Sequence, residues 1–295
     1  MDTAGIMALY DDTMRRDPAP LPPGFRVVSQ PGLTAIIGPT AAIEDNCLIF
    51  TRPDPAAPAE HIAAAMAVFA ALGHDFEWKL YHHDDPTGAL AAGLLARGFV
   101  AGEAETLMAL DLAATGLPPV GDADIRRLET PAQLADIVAV QDAVWGGDHR
   151  GLADGLAAEW CALPDRLAVY VAPVDGRPAS TGWIRFHPGR DFADLWGGST
   201  LPGHRGRGLY RALVAARADE ARRRGVRYLT VDASDDSRPI LARLGFQAVD
   251  RITPHLWRGP NATTAPPTAR RAKGLGGAPR RQQERQLDIN PTSGE

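Results

Sequence analysis

Apolar and polar positions along the chain fall into short blocks punctuated by proline and glycine. Ile6, Tyr10 and Met14 recur at every fourth position, so Thr3 to Arg16 is predicted as a short amphipathic helix that Pro18 cannot continue. A proline-rich linker follows, and the apolar runs Phe25 to Val28, Leu33 to Ile37 and Cys47 to Phe50 read as strands between turn signals. From Ala59 the period becomes helical up to Gly73. Phe76 to Tyr81 is then a strand, the polar turn His82-His83-Asp84-Asp85-Pro86 leads into a second helix carrying Leu90, Leu94 and Leu95, and Gly98-Phe99 ends it. Glu105 to Leu112 returns as a strand before the linker at Leu117-Pro118-Pro119.

The second half repeats this order. A helix from Leu209 stops at Gly225, the strand Arg227 to Val231 follows, and the polar turn Asp232 to Ser237 leads to a short helix ending at Gly245-Phe246. Helix, glycine, strand, polar turn, helix and Gly-Phe thus occur twice in one order. The period is far longer than that of a solenoid, so the pattern predicts a duplicated domain. The expected organisation is an arm and linker at 1–24, a first domain at 25–116, a second at 122–258 and a disordered, mildly basic tail at 259–295 rich in Pro, Gly, Thr and Arg.

The copies differ between strand and helix. In the second, Leu195 to Thr200 runs into Leu201-Pro202-Gly203-His204-Arg205-Gly206-Arg207-Gly208-Leu209, where glycines let the backbone tighten and approach a ligand. The first amides of a helix have no internal partner and carry the positive end of its dipole, so this start suits a phosphate. Arg205, Arg207 and Arg211 reinforce the reading, because three cations at a helix start need an anion. A Walker A loop is excluded, since Leu209 and Tyr210 stand where Lys and Ser or Thr would follow the last glycine. A dinucleotide fingerprint would need a small residue at Arg211; Asp232 after the next strand keeps that option open. The corresponding stretch of the first copy, Thr51 to Glu60, has no glycine, one arginine, two acids and three prolines that cannot donate. It is expected to have lost any such ligand.

The order Pro202-Gly203-His204-Arg205-Gly206-Arg207-Gly208 before a helix resembles the pyrophosphate loop of the GNAT superfamily of acyl-CoA N-acyltransferases, and both Gly-Phe pairs lie where that family reads Leu-x-x-x-Gly-Phe. The resemblance implies an α+β chain, an α/β three-layer arrangement of two GNAT-like domains, each a mixed, mostly antiparallel sheet flanked by helices, with a degenerate N-terminal copy. It implies acetyl-CoA as co-substrate, with the pantetheine arm along Ser199, Thr200 and Leu201, the pyrophosphate on Arg205, Gly206, Arg207, Gly208, Leu209 and Tyr210, and Ser234 where relatives carry asparagine. A free N–H near Thr200 or Leu201 would polarise the thioester. Two departures stand out: Leu241 replaces the tyrosine that many relatives use as general acid, and Tyr210 replaces a common glycine.

An amine acceptor is mostly protonated at neutral pH, so a group or water must take its proton. Asp194 is the first candidate, alternating with Trp196, Gly198 and Thr200 along one strand; Glu159, on a helix from Leu152 to Ala162, is the second. The acceptor pocket is expected from the segment Gln141 to Arg150, with Trp145 and Trp196 as apolar walls, His149 as a polar handle, and Gly146 and Gly147 as lid hinges. No metal is expected at His82-His83-Asp84-Asp85, because adjacent histidines on a strand point apart. The net charge of -5 argues against general nucleic-acid binding, and the two cysteines, Cys47 and Cys161, lack metal-type spacing. With no secretory signal and no apolar run long enough to cross a membrane, a cytoplasmic monomer or homodimer acting on a small-molecule or peptide amine is expected. An acyl-CoA sensor without turnover and a dinucleotide-binding protein are the rivals.

Overall fold

The computed structural model describes residues 1–53, 57–117 and 122–259. The expected disordered tail and part of the first copy's strand-to-helix segment lie outside the described residues, apart from Gly259 at the tail's edge.

Among the described residues twelve strands form one sheet. The first half supplies β1 (Arg26–Gln30), β2 (Leu33–Ile37), β3 (Cys47–Thr51), β4 (Phe76–Tyr81), β5 (Val100–Ala101) and β6 (Glu105–Asp111). The second supplies β7 (Arg126–Arg127), β8 (Leu167–Val174), β9 (Arg177–Phe186), β10 (Phe192–Thr200), β11 (Tyr228–Ala233) and β12 (Gln247–Trp257). Their spatial order is β1-β2-β3-β4-β12-β6-β11-β10-β9-β8-β7, with β5 beside β12. Each half therefore lends its last strand to the other. β12 pairs antiparallel with β4, β6 pairs antiparallel with β11, and β6 and β12 join the halves at the centre.

The helices are α1 (Thr3–Tyr10), α2 (Pro58–Ala70), α3 (Ala89–Leu95), α4 (Ala135–Trp145), α5 (Arg150–Ala162), α6 (Leu209–Arg223) and α7 (Arg238–Arg243). Leu209, Leu213 and Val214 of α6 and Leu241 of α7 pack with Ala193, Leu195 and Leu229 on one face of the second half. On the opposite face α4 and α5 bring Ile137 and Leu156 against Val169, Trp183 and Trp196. In the first half Ile62 and Phe69 of α2 and Leu90 and Leu94 of α3 pack on Trp78 and Leu80. The GNAT-like three-layer arrangement read from the sequence is present. Cys47 and Cys161 are both free, one buried and one exposed. Among the described residues no helix is long and apolar enough to cross a membrane.

The arm departs from the expected single helix. α1 ends at Tyr10, and Asp11–Arg16 widens into a π-helical turn, a local rearrangement that turns Asp11 and Arg15 into the interior. Asp2 caps the start of α1 by accepting from the Gly5 N–H at 2.9 Å. Ile6 then packs with Phe192 and Tyr228 of the second half, and Met7 with Tyr81 and Ile252, so the arm covers the seam between the halves.

Candidate active site

In each half two parallel strands part company. β10 and β11 pair only from Phe192 opposite Tyr228 to Asp194 opposite Thr230, and beyond that point they diverge. The exposed edge of β10 offers main-chain groups to anything lying in the gap, as an unpaired strand edge does. A register shift between Trp196 and Ser199 bulges β10 at Gly197 and Gly198, a device that re-aims a strand next to a site. After the bulge Leu201 donates its N–H to the Ala179 carbonyl at 2.9 Å. The alternation of an antiparallel ladder then turns the N–H of Thr200 away from β9 and toward the gap. Of the two amides considered for the thioester, Leu201 is therefore engaged, which corrects the expectation of a free donor there; the Thr200 amide faces the right way.

The loop after β10 opens the helix as the sequence suggested. Gly206 and Gly208 have φ of 76° and 83°, a backbone that side-chain-bearing residues rarely adopt. Gly208 caps α6 with no side-chain hydrogen bond, and Arg205, Gly206 and Arg207 are exposed. Among the described residues the N–H groups of Gly206 to Arg211 donate to no carbonyl or side chain, and the first amide engaged is that of Ala212, on the Gly208 carbonyl at 2.9 Å. Five exposed or half-buried residues thus present a row of unpaired donors at the positive end of a 15-residue helix, a ready seat for a diphosphate. Arg205 folds back to the Thr200 carbonyl and Arg207 lies against His204 Nδ1. Leu209 is the loop residue that turns inward, into the core.

Trp145, at the end of α4, donates its indole N–H to the Ser199 hydroxyl at 2.9 Å. Ser199 donates in turn to Gln141, whose amide reaches the Gly197 carbonyl at 3.2 Å, so α4 clamps the bulge. Gln141 opens the segment expected to build the pocket, but the sequence assigns it no role of its own, since a polar residue in mid-helix gives no local sign of its partner. Gly146 and Gly147 both take positive φ between α4 and α5, as hinge positions would. His149 sits on Asp142 through its N–H and Nδ1, and Ser234 bonds with Ser237 to start α7. Both are committed locally.

The two carboxylates proposed as bases are also committed. Asp194 accepts from His187 Nε2 at 2.7 Å and from the Thr230 hydroxyl. Burial opposes its charge, yet His187, Thr230 and Lys79 hold it below the ordinary carboxylate range, which makes it a weak base. Glu159 is gripped by Arg185 through paired bonds of 2.9 and 3.0 Å, and the same guanidinium lies 4.8 Å from the Trp196 ring. The structure thus brings Trp145 to Ser199, packs Trp196 in the core under α5 beside Arg185, and hands Asp194 and Glu159 to other partners. On the far side of the gap, Lys79 from the first half meets Asp232 of β11 at 2.6 Å, an ion pair that ties the halves together across their shared sheet.

The first half closes its equivalent gap. β3 and β4 pair in parallel at Cys47 opposite Glu77 and at Leu48 opposite Trp78, and then part. Arg15 of the arm enters there. Its Nε donates to the Ile49 carbonyl at 2.8 Å and its guanidinium lies 3.6 Å from the centre of the Tyr81 ring, so it spans both diverging strands. Asp11 and Asp84 pair with it, and His83 links Asp11 to Asp250 of the second half. Asp11, His83 and Asp84 are close enough to share a cation, but the Arg15 guanidinium already rests on both carboxylates. The helix that follows this gap starts at Pro58, which has no N–H to offer.

Residues 135–246 match the acetyltransferase (GNAT) family. The likeness in fold extends through both halves. A GCN5-related N-acetyltransferase from Kribbella flavida superposes with a TM-score of 0.61 at 18% identity, covering 88% of this chain and 94% of its own. A functionally unknown conserved protein from Staphylococcus epidermidis does so with a TM-score of 0.62 at 15% identity over 85% and 97%. A tandem GNAT protein from the clavulanic acid biosynthesis pathway gives 0.55 at 17% identity over 82% and 86%. Among proteins with curated descriptions, none matches the sequence. The family match thus lies within residues 135–246, and the fold of both halves together is one that the chain shares with these proteins.

Proposed function

We infer that the second half transfers an acetyl group from acetyl-CoA to a primary amine, carried by a small molecule or a peptide, by direct attack in a ternary complex. The observation that carries this reading is the row of unpaired amides from Gly206 to Arg211 beside a strand edge that β11 has left open. A diphosphate seat next to a long open edge fits coenzyme A, which joins two linked phosphates to an amide-bearing arm. The Thr200 N–H faces the gap and is the donor this reading assigns to the thioester carbonyl.

The amine nitrogen attacks the carbonyl carbon, the carbon–nitrogen bond forms, and the carbon–sulfur bond breaks with its electron pair on sulfur. Asp194 is too acidic to take the amine's proton directly, so in this scheme the ammonium gives one proton to water before attack and the second leaves nitrogen to water as the carbon–sulfur bond breaks. Trp145 and Trp196 form the apolar wall for the acceptor, and Gly146 and Gly147 let the α4–α5 turn close over it.

The test is a release assay for free thiol from acetyl-CoA against a library of amines. Acceptor-dependent release supports transfer. Tight binding of acetyl-CoA with no release from any amine favours an acyl-CoA sensor, the reading to which Leu241, buried and unable to donate a proton, lends weight. A melting temperature raised by NAD and not by coenzyme A would favour a dinucleotide site instead.

A further inference from the structure

The bulge in β10 needs partners that its ladder no longer supplies. Trp196 stands opposite Trp183 of β9 and Ser199 opposite Thr181, so Gly197 and Gly198 share Gly182 between them. A two-against-one step of this kind breaks the regular ladder, and buried main-chain groups left unpaired there cost free energy. Three carbonyls of the stretch are met by side chains instead. Ser180 donates to the Ser199 carbonyl at 2.7 Å, and Gln141 of α4 donates to that of Gly197 at 3.2 Å. The third carbonyl, that of Trp196, is met by Arg217.

Arg217 arrives from α6, on the other face of the sheet from Gln141. It is 1% exposed, and its Nε donates to the Leu213 carbonyl one turn earlier at 3.0 Å, which fixes the direction of the guanidinium. A single nitrogen, Nη1, then donates to the Trp183 carbonyl at 3.0 Å and to the Trp196 carbonyl at 3.2 Å. Those two residues are the last pair before the register shifts, one on each strand. Nη1 therefore bridges β9 and β10 at the point where the bulge begins. Gly182 makes the room, since a Cβ there would come within 2.8 Å of Nη1 and 2.9 Å of the guanidinium carbon. Two turns earlier in α6 the Tyr210 ring lies against Gly198, where a Cβ would come within 2.5 Å of Cε2, so one helix holds the bulge at both ends.

A buried cation is an expensive way to fill this space. Among the described residues no carboxylate pairs with Arg217, and its hydrogen bonds all go to carbonyls. Burial draws its pKa down to about 10, which leaves it charged at neutral pH. Packing alone would be served by an aliphatic side chain without that desolvation cost. What the guanidinium adds is a pair of charge-assisted bonds from one atom to two strands.

We propose that Arg217 is a positioning residue for the transfer reaction: by bridging the Trp183 and Trp196 carbonyls it fixes the β10 bulge, and through the bulge it aims the N–H donors of the open edge beyond, that of Thr200 among them, at the thioester carbonyl. The inference rests on the acetyl-transfer reading of this same gap. Arg217 touches no reacting atom in this scheme. Its influence falls on the polarisation of the bound thioester, while the hold on the diphosphate belongs to the amides of Gly206 to Arg211.

The test uses the full chain and three variants, with acetyl-CoA carrying carbon-13 at the acetyl carbonyl. Arg217→Met removes the bridge. Arg217→Lys offers one ammonium nitrogen in place of Nη1, and Gly182→Ala keeps the arginine but crowds it off the two carbonyls. The infrared band of the labelled carbonyl reads the hydrogen bond that the thioester receives, and lies at lower wavenumber the stronger that bond is. The band is expected at higher wavenumber in Arg217→Met and Gly182→Ala than in the parent, and in Arg217→Lys it returns toward the parent position. Calorimetric affinity for coenzyme A stays within about threefold in all of them. If Arg217→Met does not fold, Gly182→Ala and Arg217→Lys decide. A band at the parent position in Gly182→Ala overturns the proposal, and so does a loss of coenzyme A affinity beyond about tenfold in every variant, which is the mark of a merely structural residue. Failure of the parent to bind acetyl-CoA would instead remove the transfer reading, and this inference with it.

Discussion

Two gaps between parting parallel strands lie on either side of the sheet's central pair, and among the described residues one is filled and the other open. In the second half β10 and β11 part after Asp194, a glycine loop follows, and α6 begins with its amides bare. In the first half β3 and β4 part after Leu48, Arg15 reaches across the gap, and α2 begins on a proline. Parting parallel strands leaves polar main chain without partners, and burying such groups unpaired costs free energy. The protein meets that cost from its own sequence on one side and leaves it unmet on the other. The contrast teaches that the same parting of parallel strands can be filled by a neighbouring segment in one half and left open in the other.

The sharpest way to break the comparison is to spoil the open side. Gly208→Val forces a branched side chain into φ of 83° and thrusts it toward the phosphate seat, so coenzyme A should no longer raise the melting temperature. Retained thermal protection in that variant would detach the ligand from the loop. Filling the other side works in reverse. Arg15→Met removes a cation 2% exposed and leaves Asp11 and Asp84 buried without it, which should cost about 3 kcal/mol or more in urea unfolding. The variant should gain no second coenzyme A site, because Pro58 still denies the helix its first donor.

A smaller effect follows from the clasp on the arm. Burial opposes charge on His83, but Asp11, Asp250 and Asp84 outweigh it and push its pKa up to about 9. A raised folded pKa means that the stabilisation is complete below the ordinary histidine value of about 6.5 and is lost as pH rises through about 9. Unfolding midpoints measured across that window should decline, and His83→Gln should flatten the decline; an unchanged slope would show that the clasp contributes nothing. The mildest effect is expected at Asp194. With both oxygens engaged, Asp194→Asn should reduce kcat less than about tenfold, whereas a loss on the order of 100-fold or more would restore it as the base.

What the sequence made legible was what is local. The spacing of Gly203, Gly206 and Gly208 before the Leu209 helix is a backbone requirement written in consecutive residues, and the repeated Gly-Phe ends showed the duplication. Strands β8 and β9 gave no clear period because Leu167 to Ala172 and Ala179 to Ile184 are buried on both faces, which erases alternation. The exchange of β6 and β12 depends on pairings between distant segments, and register of that kind leaves no trace in either strand alone. Arg15 looked like one basic residue of a surface helix. Its partners Ile49 and Asp84 lie 34 and 69 residues away, so only the fold shows that it fills a cleft. Asp194 was legible as a carboxylate beside the gap, but His187 and Thr230, which decide its basicity, were not.

The most direct measurement is calorimetric titration of the full chain with coenzyme A. One site per chain is predicted, with binding lost in Gly208→Val and preserved in Arg15→Met once the latter is shown to be folded. Two sites per chain, or binding that survives Gly208→Val unchanged, would contradict the account of one open cleft and one filled.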